Sequence, residues 1–275
     1  VSAALVAYFV PAADLSLANT PVAGDLLREA GLVGAPERVT FIGAVSTSSG
    51  YRLELVAAYA DSSRTVLLMR SSPASVAADQ VLQITDQFGR SYQLQYGYTN
   101  TETGDMIFQF EPLNWPDPTT GARITLHISN LGSAGDPQTR IQGSWTLSAV
   151  LRVDQPTHLP LPGAGTLGPA QFQFTSVTYT PASIVVDIDI SGVNMSDVHA
   201  VLPDGGKGTP ILGIELFDPK GQTVGGSYDL YGPGTLTRNA TGVHVHFIGY
   251  RTGPGAYRLH VRYGHDEFDR TLTIP

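Results

Sequence analysis

Apolar and polar residues alternate with a period of two over most of the chain from residue 38 onward, as they do in half-buried β-strands. Clear stretches of this kind are residues 51–56, 92–96 and 124–128. Turn-forming residues separate these short apolar runs. Short strands at this spacing predict an all-β fold of the sandwich class.

A single short helix is predicted before the strands begin. Leu26 and Leu27 belong to one apolar helical face, Thr20 is a suitable N-cap, and Gly31 is a suitable C-terminal stop. We therefore predict a helix over about residues 21–30.

Two hairpin signatures, far apart in the sequence, follow the same order of residue types. Each consists of an apolar strand end, an Asp, two turn residues and a Gly, and they run from Asp86 to Gly89 and from Asp218 to Gly221. The Asp side chain can accept from backbone N–H groups further along the turn, and Gly tolerates the positive φ that closes it. The two Asp residues are therefore interpreted as turn formers and not as catalytic acids.

The neighbouring elements repeat in the same order, which indicates a duplicated domain rather than a solenoid. In this alignment, residues 179–183 match residues 59–63, and residues 242–247 match residues 104–110. A stretch rich in Pro and Gly separates the halves and is typical of a semi-rigid linker. The predicted organisation is two tandem immunoglobulin-like β-sandwiches with a short N-terminal helical segment. Its divisions are an N-terminal segment at 1–35, a first sandwich at 36–155, a linker at 156–168 and a second sandwich at 169–275.

Composition and charge exclude several functional classes. The net charge is −8 and the sequence contains no run of Lys or Arg, which argues against nucleic acid as a partner. The absence of cysteine excludes disulfides and zinc–thiolate sites. Residues 1–10 are apolar but too few to cross a bilayer, and we interpret them either as the stub of a membrane or signal segment or as an ordinary buried element. Contact with a membrane is therefore expected only through a segment upstream of Val1.

The strongest candidate for a polar site is a group of three histidines, His244, His246 and His260. His244 and His246 point to the same side of one predicted strand, and a hairpin that paired Phe247 with Leu259 would place His246 opposite His260. Such a group could chelate zinc or copper. Arg258 and Arg262 would share that face and repel a cation. We therefore favour a solvated face and assign no metal and no cofactor.

Catalytic motifs are not recognisable in the sequence. No Gly-x-Ser-x-Gly elbow occurs, so serine hydrolase chemistry has no support, and we expect a protein that is not an enzyme. Trp145 lies on an alternating strand and is expected in a core. Trp115 lies in a Pro-rich loop and is the better candidate for an exposed contact, such as one with a carbohydrate.

Seven stretches of the first half carry a resemblance to a known family: residues 17–27, 30–32, 59–66, 86–89, 108–113, 124–128 and 143–145. They resemble an uncharacterised bacterial domain family. That family occurs on the extracytoplasmic side of membrane proteins, often behind a cytoplasmic segment like that of anti-sigma factors and one transmembrane helix. The second half resembles the immunoglobulin-like domain that often follows.

The resemblance implies an extracytoplasmic location and no catalytic residue. The segment that would bind a sigma factor has no counterpart among these stretches, so that activity is not assigned. The expected function is a non-catalytic sensing or interaction region of a bacterial envelope protein, with a protein partner or with self-association. The alternative is a structural subunit of an extracellular filament or surface layer, a homopolymer in which the apolar N-terminal segment inserts as a strand into a neighbour.

Overall fold

The fold is built almost entirely of β-strands, as the alternation predicts. The computed structural model describes residues 21–78, 82–115, 117, 120–133, 139–193, 212–226, 235–238 and 242–275. The apolar N-terminal stretch, the Thr20 cap and the polar loop after residue 193 lie outside the described residues. Within the described part of the chain, no helix has the length and hydropathy of a membrane span.

The predicted helix is confirmed as α1, Pro21–Glu29. The side chains of Leu26 and Leu27 on this helix are buried, as is Ala30 directly after it. The backbone leaves the helical path at Gly31, whose φ is +64°. Gly31 also contacts Tyr250 of the second half. A Cβ atom on Gly31 would lie 2.5 Å from the Tyr250 ring, so glycine also permits this close approach. The end of α1 therefore reaches both halves of the chain.

The first half forms a continuous path of antiparallel strands. Their order is β1-β2-β3-β7-β6-β5-β8-β4, with β9 beside β8 and the parallel strand β10 beside β2. The bounds are β1 Thr40–Ser48, β2 Tyr51–Asp61, β3 Thr65–Ser72, β4 Val76–Ala78, β5 Gln83–Asp86, β6 Ser91–Thr99, β7 Asp105–Phe110, β8 Ala122–Ser133, β9 Arg140–Leu151 and β10 Val153–Asp154.

Strand β1 also lies beside β9, so the first half approaches closure. The Ser48 hydroxyl oxygen accepts from the Ser144 N–H at 3.0 Å, and the Ser46 hydroxyl oxygen accepts from the Thr146 N–H at 3.1 Å. Hydrogen bonds from backbone N–H groups of β9 to serine side chains of β1 thus join these two strands in place of a backbone ladder. The result is more closed than two separate facing sheets, and the alternation of residue types could not distinguish the two arrangements.

The described strands of the second half form two sheets that enclose one core. One sheet has the order β11-β13-β14-β18-β17 with β12 beside β13, and the other has the order β16-β15-β19-β20. The bounds are β11 Thr157–His158, β12 Gly165–Leu167, β13 Ala170–Tyr179, β14 Ser183–Ser191, β15 Leu212–Phe217, β16 Thr223–Gly226, β17 Thr235–Arg238, β18 Gly242–Tyr250, β19 Gly255–Tyr263 and β20 Asp266–Ile274.

Corresponding strands pair in the same order in both halves. The pairs β2-β3-β7 of the first half correspond to β13-β14-β18 of the second, and β5-β8-β9 correspond to β15-β19-β20. One detail of the sequence alignment is wrong. The turn at Asp61, closed by the bond from Asp61 N–H to Arg64 C=O, corresponds to the turn from Thr180 to Ser183, which shifts the match by one residue.

Three apolar clusters formed by residues that the structure describes hold these layers together. One is enclosed by the first half and includes Trp145, whose predicted core position is confirmed. A second lies between the two sheets of the second half. The third lies under α1, on the outer side of β2, β3 and β7, and includes Ala182 of the second half. Because β3 and β7 are covered on both faces, they are nearly continuous apolar runs in the sequence.

The Pro- and Gly-rich stretch predicted as a linker contributes strands to the second half. Both β11 and β12 pair with β13, and the Leu159 N–H donates to the Val177 carbonyl at 2.9 Å. Strand β10, directly before the stretch, pairs with β2. The connection between the halves is therefore held by backbone pairing, with β2 on one side and with β13 on the other.

The two Asp hairpins have the geometry predicted from their sequences. In each turn the Asp N–H donates to a carbonyl four residues on, and the Gly N–H donates back to the Asp carbonyl. The Asp86 carboxylate accepts from the N–H groups of Phe88 and Arg90, and Asp218 does the same in the second half. Gly89 and Gly221 have φ values of +78° and +80°.

The second oxygen of each Asp carboxyl accepts from side chains, but the donors differ: Asp218 accepts from the Thr252 hydroxyl at 3.1 Å, whereas the donors to Asp86 come from its own hairpin. Burial acts to raise the pKa of Asp86, but hydrogen bonds from Arg90, Phe88 and Tyr92 outweigh burial and lower the pKa below its usual value. The side chains of Arg90 and Tyr92 donate to its second oxygen at 2.6 Å and 3.0 Å. Because ionised Asp86 satisfies these donors, it stabilises the turn.

Replacing Gly89 or Gly221 by Val should cost stability through backbone strain alone. No atom lies within 4 Å of where either Cβ would be built, so only the positive φ is incompatible. We expect a loss of about 1–3 kcal/mol in the free energy of unfolding for each variant, measured by chemical denaturation.

The matched control for both variants is Gly163→Val. Gly163 is also exposed and surrounded by open space but does not have a positive φ. We expect a change within about 0.5 kcal/mol for the control. Equal stability of Gly89→Val, Gly221→Val and the control would contradict this explanation of the turns.

Candidate functional site

The three histidines of the sequence-based candidate lie on two different sheets. His244 and His246 are on β18, which pairs with β14 and β17, whereas His260 is on β19, which pairs with β15 and β20. The predicted pairing of Phe247 with Leu259 is therefore wrong. The chain crosses to the other sheet between these strands, and the sequence pattern does not record whether a turn joins neighbours or changes sheet.

His244 and His246 instead face two carboxylates of β14. Asp187 pairs with His246 and Asp189 with His244 along the ladder. His246 Nδ1 lies 2.7 Å from Asp187 Oδ1, and His244 Nδ1 lies 2.9 Å from Asp189 Oδ1.

His260 has carboxylate neighbours of its own on the opposite sheet. Its Nδ1 lies 2.9 Å from Asp269 Oδ1, and its Nε2 lies 3.6 Å from Glu267 Oε2. Arg258 also donates to Asp269, at 3.2 Å. The arginines that were expected to repel a cation from His246 therefore lie on the strand of His260.

The prediction that Trp115 provides an exposed aromatic contact is wrong. Trp115 is buried, its indole N–H donates to the Thr120 carbonyl at 2.9 Å, and its ring stacks on Phe88 with centroids 5.7 Å apart. Phe88, in the turn of the first Asp hairpin, is 70% exposed. The Arg90 guanidinium lies 5.2 Å from the centre of the Phe88 ring. A loop position alone did not reveal which aromatic faces solvent.

A buried polar cluster joins the two halves, and sequence reasoning missed it. Its centre is the Asp61 carboxyl, which is fully buried at the end of β2. One carboxyl oxygen accepts from the Ser63 N–H, the Ser63 hydroxyl and the Arg64 N–H at 2.6–3.0 Å. The other accepts from the Tyr59 hydroxyl at 2.9 Å and the Thr180 hydroxyl at 2.7 Å. We call this cluster the junction.

The junction uses Thr180 of one turn to bond Asp61 of the corresponding turn in the other half. The Thr180 hydroxyl oxygen also accepts from the Ser183 N–H at 3.0 Å, and so caps its own turn. Burial, followed by the charge of Asp61, raises the pKa of Tyr59. The Tyr59 hydroxyl therefore stays protonated and serves as a hydrogen-bond donor.

Arg64 extends the junction to the helix and to the second half. Its side chain is fully buried, and its guanidinium donates to the carbonyls of Ala30 and Gly31 at 3.0 Å and 3.1 Å. A cation near the carbonyls at a helix C-terminus is electrostatically favourable. The guanidinium also lies 4.6 Å from the centre of the Tyr250 ring, so this one side chain of the β2–β3 turn connects the segment that ends α1 with β18.

Asp154, at the end of β10, adds a second carboxyl near the junction. It pairs with Asp61 in the parallel ladder and lies 3.5 Å from Arg38 and 3.6 Å from Arg152. Burial raises the pKa of Asp154, and the two arginines oppose that effect. Its charge is balanced locally rather than directed into a cleft.

The backbone of the second half reaches the same region from the opposite side. The Arg251 N–H donates to the Ala182 carbonyl at 2.9 Å, and its guanidinium donates to the Pro181 and Pro275 carbonyls. A Cβ atom on Gly34 would overlap the Arg251 carbonyl. The segment after α1 thus fits directly against the β18–β19 connection.

Comparisons with known proteins identify a fold and no family. No protein-family model matches the chain, and no curated protein matches it. A conserved domain protein from Bacillus anthracis has a similar structure with a TM-score of 0.56 and 9% identity, over 86% of this chain and 91% of that chain. At that identity the likeness shows a shared fold alone.

A marsupial T cell receptor also aligns, at 11% identity over 85% of this chain and 62% of that chain. Its TM-score of 0.22 is too low to support any argument.

Thr180→Val should loosen the junction. The substitution keeps the β-branched shape but removes the donor to Asp61 and the acceptor for the Ser183 N–H. We expect a loss of about 1–3 kcal/mol in the free energy of unfolding, because buried partners are left unsatisfied. Urea denaturation measures this change.

Thr271→Val is the matched control for this substitution. Thr271 is an exposed residue of β20, so the same chemical change should alter stability by no more than about 0.5 kcal/mol. Similar losses in both variants would show that the effect belongs to the threonine hydroxyl in general and not to the junction.

Proposed function

We propose that this chain is a non-catalytic sensing and interaction region of a bacterial envelope protein, located outside the cytoplasm. In this proposal it consists of two tandem immunoglobulin-like sandwiches that act as one rigid body. Its partner is another protein or a second copy of the chain, and nucleic acid is not a partner. The junction is the observation that carries the proposal.

The junction supports a role in transmission because it opposes hinge motion between the halves. Interfaces within a chain permit relative motion of domains unless they are large and hydrophobic, and a buried polar network whose hydrogen bonds are satisfied adds rigidity. Here a fully buried carboxyl accepts four hydrogen bonds from the first half and one from the second, and a buried arginine packs on an aromatic ring across the boundary. A partner bound at one half would therefore move the other half with it.

The hydrogen bonding of the two buried turn carboxyls supports a non-catalytic role. Asp61 and Asp86 are occupied by hydrogen bonds within their own turns. Neither carboxyl has an open side from which a substrate could be protonated, because both are buried among donors. Acids in this condition are typical of structural turns.

The repeated order of strand pairing supports the two-sandwich organisation. Both halves place their Asp-x-x-Gly hairpin after equivalent strands, and both have a capped turn at the junction. In the proposal, these are equivalent corners of a duplicated domain, with divisions close to residues 36–155 and 169–275.

Location and assembly state test the proposal together. We expect antibodies raised against the purified chain to label cells whose cytoplasmic membrane is intact. We also expect the purified chain to elute as a discrete species in size-exclusion chromatography. A purely cytoplasmic signal would contradict the proposed location.

Ordered polymers of the purified chain in electron micrographs would contradict the sensing role and support the filament or surface-layer subunit instead. Deletion of residues 1–20 is the control for that outcome. If the shortened chain folds but no longer polymerises, the apolar N-terminal segment acts as the donated strand.

A further inference from the structure

We propose that a cavity at one end of the first half binds a small uncharged polyhydroxylated ligand, of the class of a neutral monosaccharide. The cavity has a volume of about 410 Å³. It lies where the β2–β3 turn, the loop after β7 and the end of β10 meet. The site goes beyond the proposed function, which names a protein partner, and does not depend on it.

The size of the cavity and its apolar wall are those of a small-molecule site. Such sites measure about 300–1,000 Å³ and combine a mainly apolar wall with a few polar groups that orient the ligand. Pro112, Leu113, Trp115 and Val153 form the apolar part of the lining. Leu113, Trp115 and Val153 also belong to the core of the first half, so this wall is held in place by the fold.

The polar part of the lining consists of a hydroxyl and two carboxamides. Ser62, Asn114 and Gln155 provide these groups, and all three residues are exposed. Gln155 Nε2 donates to the carbonyls of Trp115 and Val153 at 3.3 Å and 3.4 Å, which holds its amide against the apolar wall. Among the described contacts, the side chains of Ser62 and Asn114 and the Gln155 Oε1 atom have no partner in the protein. They therefore remain available to a ligand.

The chemistry of these groups matches a sugar. Hydroxyl and carboxamide side chains offer both donors and acceptors, as the hydroxyl groups of a sugar also do. A pyranose ring has an apolar C–H face in addition, which suits a wall that contains an aromatic side chain. A purely apolar ligand would leave the hydroxyl and amide groups at the cavity without partners.

The lack of charge in the described lining selects an uncharged ligand. None of the lining residues carries an ionisable side chain. Glu111, Asp61 and Asp154 adjoin lining residues in the sequence, but each carboxyl accepts hydrogen bonds from other parts of the chain. A charged ligand would lose its water at this cavity without gaining an ion pair from the lining.

The position of the cavity places a bound ligand next to the junction. Ser62 belongs to the same turn as Asp61, and Val153 pairs with Ala60 in the parallel ladder between β10 and β2. A ligand in the cavity therefore contacts both strand ends that carry the buried carboxyls Asp61 and Asp154.

NMR of the full wild-type chain tests the site directly. The probes are glucose, galactose, mannose and N-acetylglucosamine, each added alone. We expect a saturation-transfer signal from at least one of these sugars. The same sugar should shift the side-chain amide signals of Asn114 and Gln155 and the indole N–H signal of Trp115. The absence of transfer from every sugar would overturn the proposal, and so would binding that leaves these protein signals unchanged.

A phosphorylated sugar tests the class of ligand. The 6-phosphate of the sugar that binds keeps the same ring and adds negative charge. We expect its affinity to be at least about tenfold lower, because the lining offers no cation to the phosphate. Equal or tighter binding of the 6-phosphate would contradict an uncharged ligand.

Variants separate this cavity from the rest of the surface. Asn114→Ala and Gln155→Ala should each weaken sugar binding by about 3–10-fold, since each removes a hydrogen-bonding group from the lining. Gln95→Ala is the matched control, because Gln95 is an exposed amide of β6 outside the lining, and its affinity should be unchanged. Unchanged affinity in both cavity variants, or an equal loss in the control, would contradict the assignment. Because the wild-type spectra report the site without mutation, a variant that fails to fold does not remove the test.

Discussion

The buried Asp61 carboxyl is the constraint on which the arrangement of the two halves depends. A carboxyl removed from water is costly unless hydrogen bonds compensate it, and this one accepts five. Four of these come from its own strand end and turn, and the fifth comes from Thr180 of the second half. Separating the halves would leave Asp61 and Thr180 to find new partners, so the fold of each half favours their association.

The two turns that meet at the junction are closed by the same pattern of hydrogen bonds. Asp61 and Thr180 begin corresponding turns, and each side chain caps its own turn before it contacts the other. Arg64 adds the end of α1 to the same contact through the carbonyls of Ala30 and Gly31. The helix, both halves and the strand that connects them therefore converge on one small polar cluster, surrounded by the apolar residues under α1.

Local features of the fold were predictable from the sequence, and contacts between distant strands were not. The turns at Asp86 and Asp218, the helix before Gly31 and the buried Trp145 follow from side-chain chemistry within a few residues. The partners of His246 could not be predicted in this way, because β18 pairs with β14 rather than with β19. The alternation of residues along a strand does not specify which strand lies beside it. The alignment of the halves missed the junction, because it placed Asp61 opposite Pro181, whereas the hydrogen bonds that close the two turns make Asp61 equivalent to Thr180.

Equilibrium unfolding followed separately in each half is the most direct test of the junction as a lock between them. Both tryptophans of the chain, Trp115 and Trp145, lie in the first half, so their fluorescence reports that half alone. Methyl NMR signals of Ile188 and Ile214 report the second core. If the junction locks the halves together, the wild-type chain shows one urea transition with the same midpoint for both probes, and the midpoints separate when Asp61 is replaced by Ala. Two well-separated transitions in the wild-type chain would contradict it.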